Sequence, residues 1–254
     1  VIRLARRLLK CSAPVPPAWT SFVDSLAGEL VSVRELHDRD APALFELLCD
    51  PVVAADMSRP PPSTDAFRGF ISWARSERQA ARSIAFGIVP HGLQLAVGVI
   101  QLRPQEPSWG VAEWGFAIGA SFWGTGAFPE AAHLVAGFAF ERMGVHRLEA
   151  RAVAGNTRGN GALQKLGARP EGTLASAFNR GDHFDTQLLW ALNADEWRQR
   201  PAVHRRFSLA DTCERIADAV REVEERAARR PPPSSSEAPD PHPFFIRSDD
   251  KRNA

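Results

Sequence analysis

The sequence predicts a mixed α+β domain with extensions at both ends. Three observations lead there. Seven short runs are alternating or continuously apolar over the length of a strand. Four other stretches repeat apolar residues every three or four positions, the spacing of one helix face. The two kinds follow the order strand, two helices, three strands, helix, strand, helix, two strands. A doubly wound parallel sheet would alternate more regularly.

Each element has its own reason. "LVSVREL", residues 30–36, alternates and reads as the first strand. In "DRDAPALFELLCD", either Asp38 or Asp40 is placed to cap a helix carrying Leu44, Leu47 and Leu48. The prolines of "SRPPPST" interrupt the chain, and 64–82 reads as a second helix with Phe67, Phe70, Ile71 and Ala74 on one face. "SIAFGIVP" and "LQLAVGVIQLR" read as strands around a His91-Gly92 turn. The loop "PQEPSWG" leads into a further strand, "VAEWGFAIG". Phe128, Ala131, Ala132, Val135 and Phe138 share one face of a third helix, which Gly144 can end in a left-handed conformation. "HRLEARAV" alternates as a strand, and "NTRGNGALQKLGA" is a short helix ended by Gly167. "ARPEGTLASAF" and "HFDTQLLWAL" form the last two strands across the turn-forming "NRGD".

These elements divide the chain into an N-terminal extension at 1–28, a core domain at 29–192, a charged helical extension at 193–230 and a tail at 231–254. The tail is rich in proline, serine and aspartate and is expected to be disordered. Hydrophobic residues make up 44% of the chain, enough for a sizeable core. Lys plus Arg is 31 and Asp plus Glu is 30, so the charge balance gives no general nucleic-acid signal. Cys11, Cys49 and Cys213 are scattered, with neither metal-ligand nor disulfide spacing, so a reducing cytoplasm is the default expectation. No apolar run reaches the ~20 residues that span a bilayer. "VIRLARRLLK" has no long apolar segment after it, so neither a signal peptide nor a membrane partner is expected. His91, His133 and His146 lack ligand partners at metal spacing, and no metal is expected.

The stretch "SFWGTGAFPEAA" bears most directly on chemistry. The first amides of a helix have no internal partner, and Gly124 and Gly126 let a ligand approach the backbone. Amides from Phe122 to Ala127 could converge on an anion, helped by the helix dipole. The plain alternative is a tight loop that needs glycine for its geometry. No GK[ST] follows, and the G-x-G-x-x-G spacing is absent, which disfavours nucleotide-hydrolase and dinucleotide loops.

Taken in order, "VAEWGFAIG", "FWGTGAF", "GVHRLEARAVAGNTRGNGALQKLGA", Glu171-Gly172 and "DTQLLWAL" resemble the GNAT superfamily of acetyl-CoA-dependent N-acetyltransferases. More narrowly, they resemble the branch containing the ribosomal-protein-alanine and ribosomal-protein-serine acetyltransferases. The resemblance implies a splayed, mostly antiparallel mixed sheet of about six or seven strands flanked by about four helices. It implies acetyl-CoA as cosubstrate, with the loop Phe122, Trp123, Gly124, Thr125, Gly126 and Ala127 gripping the diphosphate. The backbone of Phe116, Ala117 and Ile118 would meet the pantetheine arm. Asn156 matches the family's asparagine at the next helix. The family's small polar residue three positions on is here Gly159, so that contact is either lost or replaced by Asn160. Lys165, Leu166 and Gly167 match the tail of the same motif and are read as structural.

An amine must be neutral to attack a thioester, and its base must stand within hydrogen-bond reach, directly or through water. Glu113, flanked by Trp114 and Phe116, is the candidate base, since burial beside aromatics would raise its pKa. The alternative is an ion pair with Arg147 or Arg151. The chain has no tyrosine to protonate the leaving thiolate, and Leu163 stands where the superfamily's tyrosine would fall. Direct attack is therefore expected, with positioning as the main contribution and a strand amide near Ile118 polarising the carbonyl. His183 and Asp185 lie near the expected acceptor, where ordinary turn polarity is the alternative. Three readings stay open: acetylation of a protein N-terminal alanine or serine, acetylation of an antibiotic or amino-sugar, and a non-catalytic acyl-CoA-binding module. An acidic cleft near Asp56, Asp65 and Glu106 would favour the second.

Overall fold

The computed structural model describes residues 18–20, 25–199 and 209–229. The expected disordered tail, 231–254, and the segment 1–10 lie outside the described residues. Eight strands form one mixed sheet: β1 (Leu26–Ala27), β2 (Val31–Glu35), β3 (Ile84–Pro90), β4 (Gly98–Pro104), β5 (Val111–Ile118), β6 (Arg147–Val153), β7 (Arg169–Asn179) and β8 (Phe184–Asn193). Their spatial order is β1-β2-β3-β4-β5-β6-β8-β7. Neighbours are antiparallel throughout except β5 and β6, which run parallel. The helices are α1 (Ala41–Leu48), α2 (Pro51–Ala54), α3 (Thr64–Gln79), α4 (Ala127–Gly137), α5 (Thr157–Leu166), α6 (Ala194–Arg198) and α7 (Leu209–Arg229).

The sheet is covered on both faces, and strand alternation shows how. Ile84, Phe86 and Ile88 of β3 join the same apolar cluster as Ala131, Val135 and Leu163 of α4 and α5. Ala85 and Val89 point the other way and pack with Leu44, Phe67, Phe70 and Ile71 of α1 and α3. Every residue of β3 is buried, which is why "IAFGIVP" reads as continuously apolar rather than alternating.

Two sequence expectations are corrected. The sheet gains a strand: Leu26–Ala27, inside the stretch assigned to an N-terminal extension, pairs with Val33 and Ser32. In the same stretch Trp19 is buried and meets Trp109 edge-on, with ring centroids 5.0 Å apart. Glu130 of α4 secures this entry, accepting the amides of Glu29, Leu30 and Val31 at 2.7–2.9 Å. Two residues are too short a run for periodicity to reveal.

The strand expected over 93–103 begins only at Gly98. Val97 still bonds to Ile88 and Gly119, but before it the backbone is engaged by side chains from elsewhere. The Ala96 amide donates to Asp40 Oδ1 at 3.0 Å, and Arg34 Nη2 donates to the Gln94 carbonyl at 2.9 Å. Asp40 therefore does not cap α1 through its side chain. Its fully buried carboxylate accepts from Arg34 Nη1 and Nη2 at 2.7 and 2.9 Å and from the His37 amide at 2.7 Å. Burial pushes this carboxyl up, but the Arg34 guanidinium and the two amides outweigh burial and hold it below the usual carboxylate range.

The ends of the longer helices follow local rules. Ser63 Oγ caps α3 by accepting from the Ala66 amide at 3.1 Å. Beyond α4 the chain widens into a π-helical turn, Phe138–Arg142, before Gly144 turns it at φ +75°. Asn156 caps α5, and Gly167 ends it at φ +79°.

Candidate functional site

The parallel ladder between β5 and β6 is short. It joins Val111 to Arg147, Ala112 to Leu148 and Glu113 to Glu149 and then stops, although β5 continues to Ile118 and β6 to Val153. The two strands diverge beyond Glu113, and a cleft opens in the middle of the sheet. The glycine turn lies where β5 leaves the sheet, at the N-terminus of α4.

That turn is tightly wound. The amides of Phe122 and Trp123 donate to the carbonyls of Gly119 and Ala120, each at 3.0 Å, and the Thr125 amide reaches the Phe122 carbonyl at 3.4 Å. Buried Thr125 donates its hydroxyl to the Phe122 carbonyl at 2.8 Å and accepts from the Ala127 amide at 3.3 Å. Among the described residues this leaves the amides of Gly124, Gly126 and Phe128 without a protein partner. Gly124 and Gly126 have φ of +72° and +89°, a left-handed geometry that glycine takes without strain. Three unpaired amides at the start of an eleven-residue helix suit an anion such as a diphosphate.

Two connected cavities line the cleft. The larger, about 470 Å3, runs along Phe116, Ala117 and Ile118 past Phe122, Trp123, Gly124 and Gly126, with Asn156 on the facing helix. Thr125, Ala127 and Asn160 do not line it. Asn160 instead donates to the carbonyls of Val153 and Asn156 at 2.9 and 2.8 Å and accepts from the Trp190 indole at 2.8 Å, which pins the turn into α5. Asn156 Oδ1 accepts from the Gly159 amide at 2.6 Å. A Cβ at Gly159 would lie 2.8 Å from Asn156 Nδ2, so the departure from the family's polar residue is tied to this cap. Lys165, read as structural, lies on the cavity wall. Periodicity had no means of finding Arg158, whose guanidinium stacks 3.8 Å over the Trp123 ring, or Met57, which lines both cavities beside Asp56.

The second cavity, about 310 Å3, holds Glu113 together with Trp114, Gly115, Arg151, Leu163, Phe178 and Gln187. The two cavities meet at Asp56, Met57, Phe116, Asn156 and Gly159. Glu113 is 12% exposed. Gln105 Nε2 donates to its Oε2 at 2.9 Å, while Arg151 Nε stands 3.7 Å from its Oε1. Burial raises its pKa, opposed in part by Arg151, Gln105 and Arg103. Arg147 is engaged elsewhere, with Glu149 and Glu171.

The remaining polar residues sort by position. His183 and Asp185 lie at the final hairpin and do not line the cavity. His183 Nδ1 is 2.8 Å from Asp182, and Asp185 accepts from Arg180 Nε at 2.6 Å. Arg180 also donates to the Ala55 carbonyl and stands 3.8 Å from Asp56, tying the hairpin to the segment after α2. Asp65 pairs with Arg68 on the surface of α3, and Glu106 accepts from Ser108 in its own loop. Asp56 alone of the three acidic residues named above reaches the cavity. Among the described residues no group of three or more His, Cys, Asp or Glu side chains gathers as metal ligands.

Comparison with solved structures supports the fold. A provisionally assigned acetyltransferase from T. thermophilus is 24% identical, with a TM-score of 0.59 over 81% of this chain and 97% of its own. Mycobacterium smegmatis RimJ, solved with CoA-disulfide, is 22% identical, with a TM-score of 0.61 over 78% of this chain and 92% of its own. The ribosomal-protein-S5-alanine acetyltransferase of Vibrio fischeri is 15% identical, with a TM-score of 0.61 over 70% of this chain and all of its own. The family model described as "Acetyltransferase (GNAT) domain" matches residues 31–169, more than half of the sequence and all of the sheet from β2 as far as the start of β7. With a short parallel seam, an open strand and a glycine turn in that family's order, the chain belongs to the GNAT acetyltransferase family.

Proposed function

We propose that this acetyltransferase acetylates the primary amine at a polypeptide N-terminus, with alanine or serine as the first residue, and that Glu113 is its base. One observation carries the reading. A largely buried carboxylate with a raised pKa lies where the seam between β5 and β6 ends, in the cavity that adjoins the one along Phe116–Ile118.

The residues present fit acetyl-CoA, which supplies the acetyl group as a thioester. The unpaired amides of Gly124, Gly126 and Phe128 would receive the diphosphate, and the open edge of β5 at Phe116–Ile118 would receive the pantetheine arm. Glu113 takes the proton from the acceptor amine, directly or through a water. The amine's lone pair forms the new N–C bond as the C–S bond breaks. The nitrogen releases its remaining surplus proton to solvent as the amide forms. The sulfur, leaving as a thiolate, takes a proton from solvent, since the chain has no tyrosine to supply one. A pKa lifted toward the working pH suits a general base.

The acceptor reading rests on the second cavity. Its lining mixes the apolar Trp114, Leu163 and Phe178 with Glu113, Asp56 and Gln187. An antibiotic or amino-sugar with several cationic amines, such as an aminoglycoside, calls for an acidic cleft, but Asp65 and Glu106 lie outside the cavity and are held elsewhere. Similarity to RimJ and to the S5-alanine enzyme is consistent with a peptide acceptor. A thiol-release assay with acetyl-CoA against peptides beginning with Ala or Ser, peptides with a blocked N-terminus, and aminoglycosides tests it. Turnover confined to free N-terminal peptides is expected. Turnover on aminoglycosides alone would overturn the acceptor.

A further inference from the structure

The C-terminal helix α7 packs onto the glycine turn. Thr212, Ile216, Ala219 and Val223 recur along one face and are buried. The three apolar ones join the cluster that contains Leu30, Phe122 and Ala127. This seating places Thr212 Cγ2 3.3 Å from the point a Cβ would occupy on Gly126. It places Arg215 Nη2 3.2 Å from the corresponding point on Gly124. These are two of the three residues whose amides have no protein partner among the described residues. The turn itself offers only backbone dipoles. A guanidinium beside it adds a full positive charge and a planar fork of donors suited to phosphate oxygens. On the facing wall, the guanidinium of Arg158 lies over the Trp123 ring. The family match ends at residue 169, so α7 lies outside the matched domain.

We propose that Arg215 is a ligand of the cofactor's diphosphate and that α7 thereby completes the cofactor site from outside the matched domain. The inference rests on the acetyl-CoA reading above. Its test is calorimetric titration of the full chain and of Arg215→Gln and Arg215→Lys, at low and moderate salt. The ligands are CoA and pantetheine, which has the same arm without the diphosphate. Arg215→Gln is expected to weaken CoA roughly tenfold to a hundredfold, the range for losing a charge-assisted hydrogen bond. It should also flatten the salt dependence of CoA binding and leave pantetheine unchanged, and Arg215→Lys should recover part of the loss. Unchanged CoA affinity in Arg215→Gln would overturn the inference while leaving acetyl-CoA binding intact. An equal loss of CoA and pantetheine would overturn it too, because it would mark α7 as a support for the loop only. Failure of the unaltered chain to bind CoA at all would remove the acetyl-CoA reading along with it.

Discussion

Two carboxylates, Asp40 fully buried and Glu113 largely so, mark the two characters of this molecule. Asp40, at the corner between β2 and α1, accepts four hydrogen bonds from Arg34, His37 and Ala96 and is held below the usual carboxylate range. Glu113, at the end of the seam between β5 and β6, accepts one from Gln105, faces Arg151 at 3.7 Å, and is pushed above its usual range. Burial pushes both upward, and the number and closeness of the donors decide the outcome. A saturated carboxylate is a fastener. An undersupplied one keeps its affinity for a proton and is fit to accept one during a reaction.

The sharpest way to break this contrast is Glu113→Gln. It is expected to lower kcat about a hundredfold or more, within the range for a lost general base. It should also abolish the rise in rate as pH climbs through the raised Glu113 pKa. A group whose folded pKa is raised contributes stability below its unfolded value and loses it as pH rises through the folded one. Glutamine removes that ionisation, so Tm at neutral pH should not fall. A lowered Tm together with an unchanged pH–rate profile, read from thermal melts and initial rates, would make Glu113 a second fastener.

Asp40→Asn should do the reverse. It leaves the largely buried Arg34 without its countercharge, at a cost of about 3 kcal/mol in denaturant unfolding. Asp40 has a depressed folded pKa. Its contribution is present above the unfolded value, near ~3.9, and is lost as pH falls through the lower folded value. Acid titration should show that loss in the unaltered protein and its absence in the variant. Equal stability of the two chains at neutral pH would contradict the assignment. The smallest effect belongs to the cleft's other wall. Gly124→Ala forces a side chain into φ +72° beside Arg215 and should cost roughly 1–2 kcal/mol. CoA affinity, measured by titration, should fall along with stability. A loss of stability without a loss of CoA affinity would separate the turn from the cofactor.

The sequence made most of the elements legible, because the strands and helices it announced run for five residues or more. Gly144 and Gly167 take the left-handed conformations that their positions suggest. What escaped was set by long-range contact. Leu26–Ala27 is a strand only because β2 lies beside it, and the strand expected from 93 starts late where Asp40 and Arg34 engage the backbone of Ala96 and Gln94. In the site, the glycine turn and Glu113 were visible as local signals. The sharing-out of the turn's amides was not, since it depends on Thr125 folding back on Phe122. Asn160 shows the converse: a position one residue from a motif invited a ligand role, whereas its amide is committed to Val153, Asn156 and Trp190. Arg158 lines the cleft and Arg215 stands beside Gly124, each from another helix, and no spacing in the chain announces such a meeting.

The three-pair seam between β5 and β6 has a mechanical consequence. On one side of it lie β1 to β5 and on the other β6 to β8, so the sheet is two panels joined by a short stitch at one end. Because the ladder stops after three pairs, the edge of β5 beyond Glu113 has, among the described residues, no strand beside it on that side, and this bare edge at Phe116, Ala117 and Ile118 is what the larger cavity meets. The buried cluster that spans both panels holds them together behind the opening.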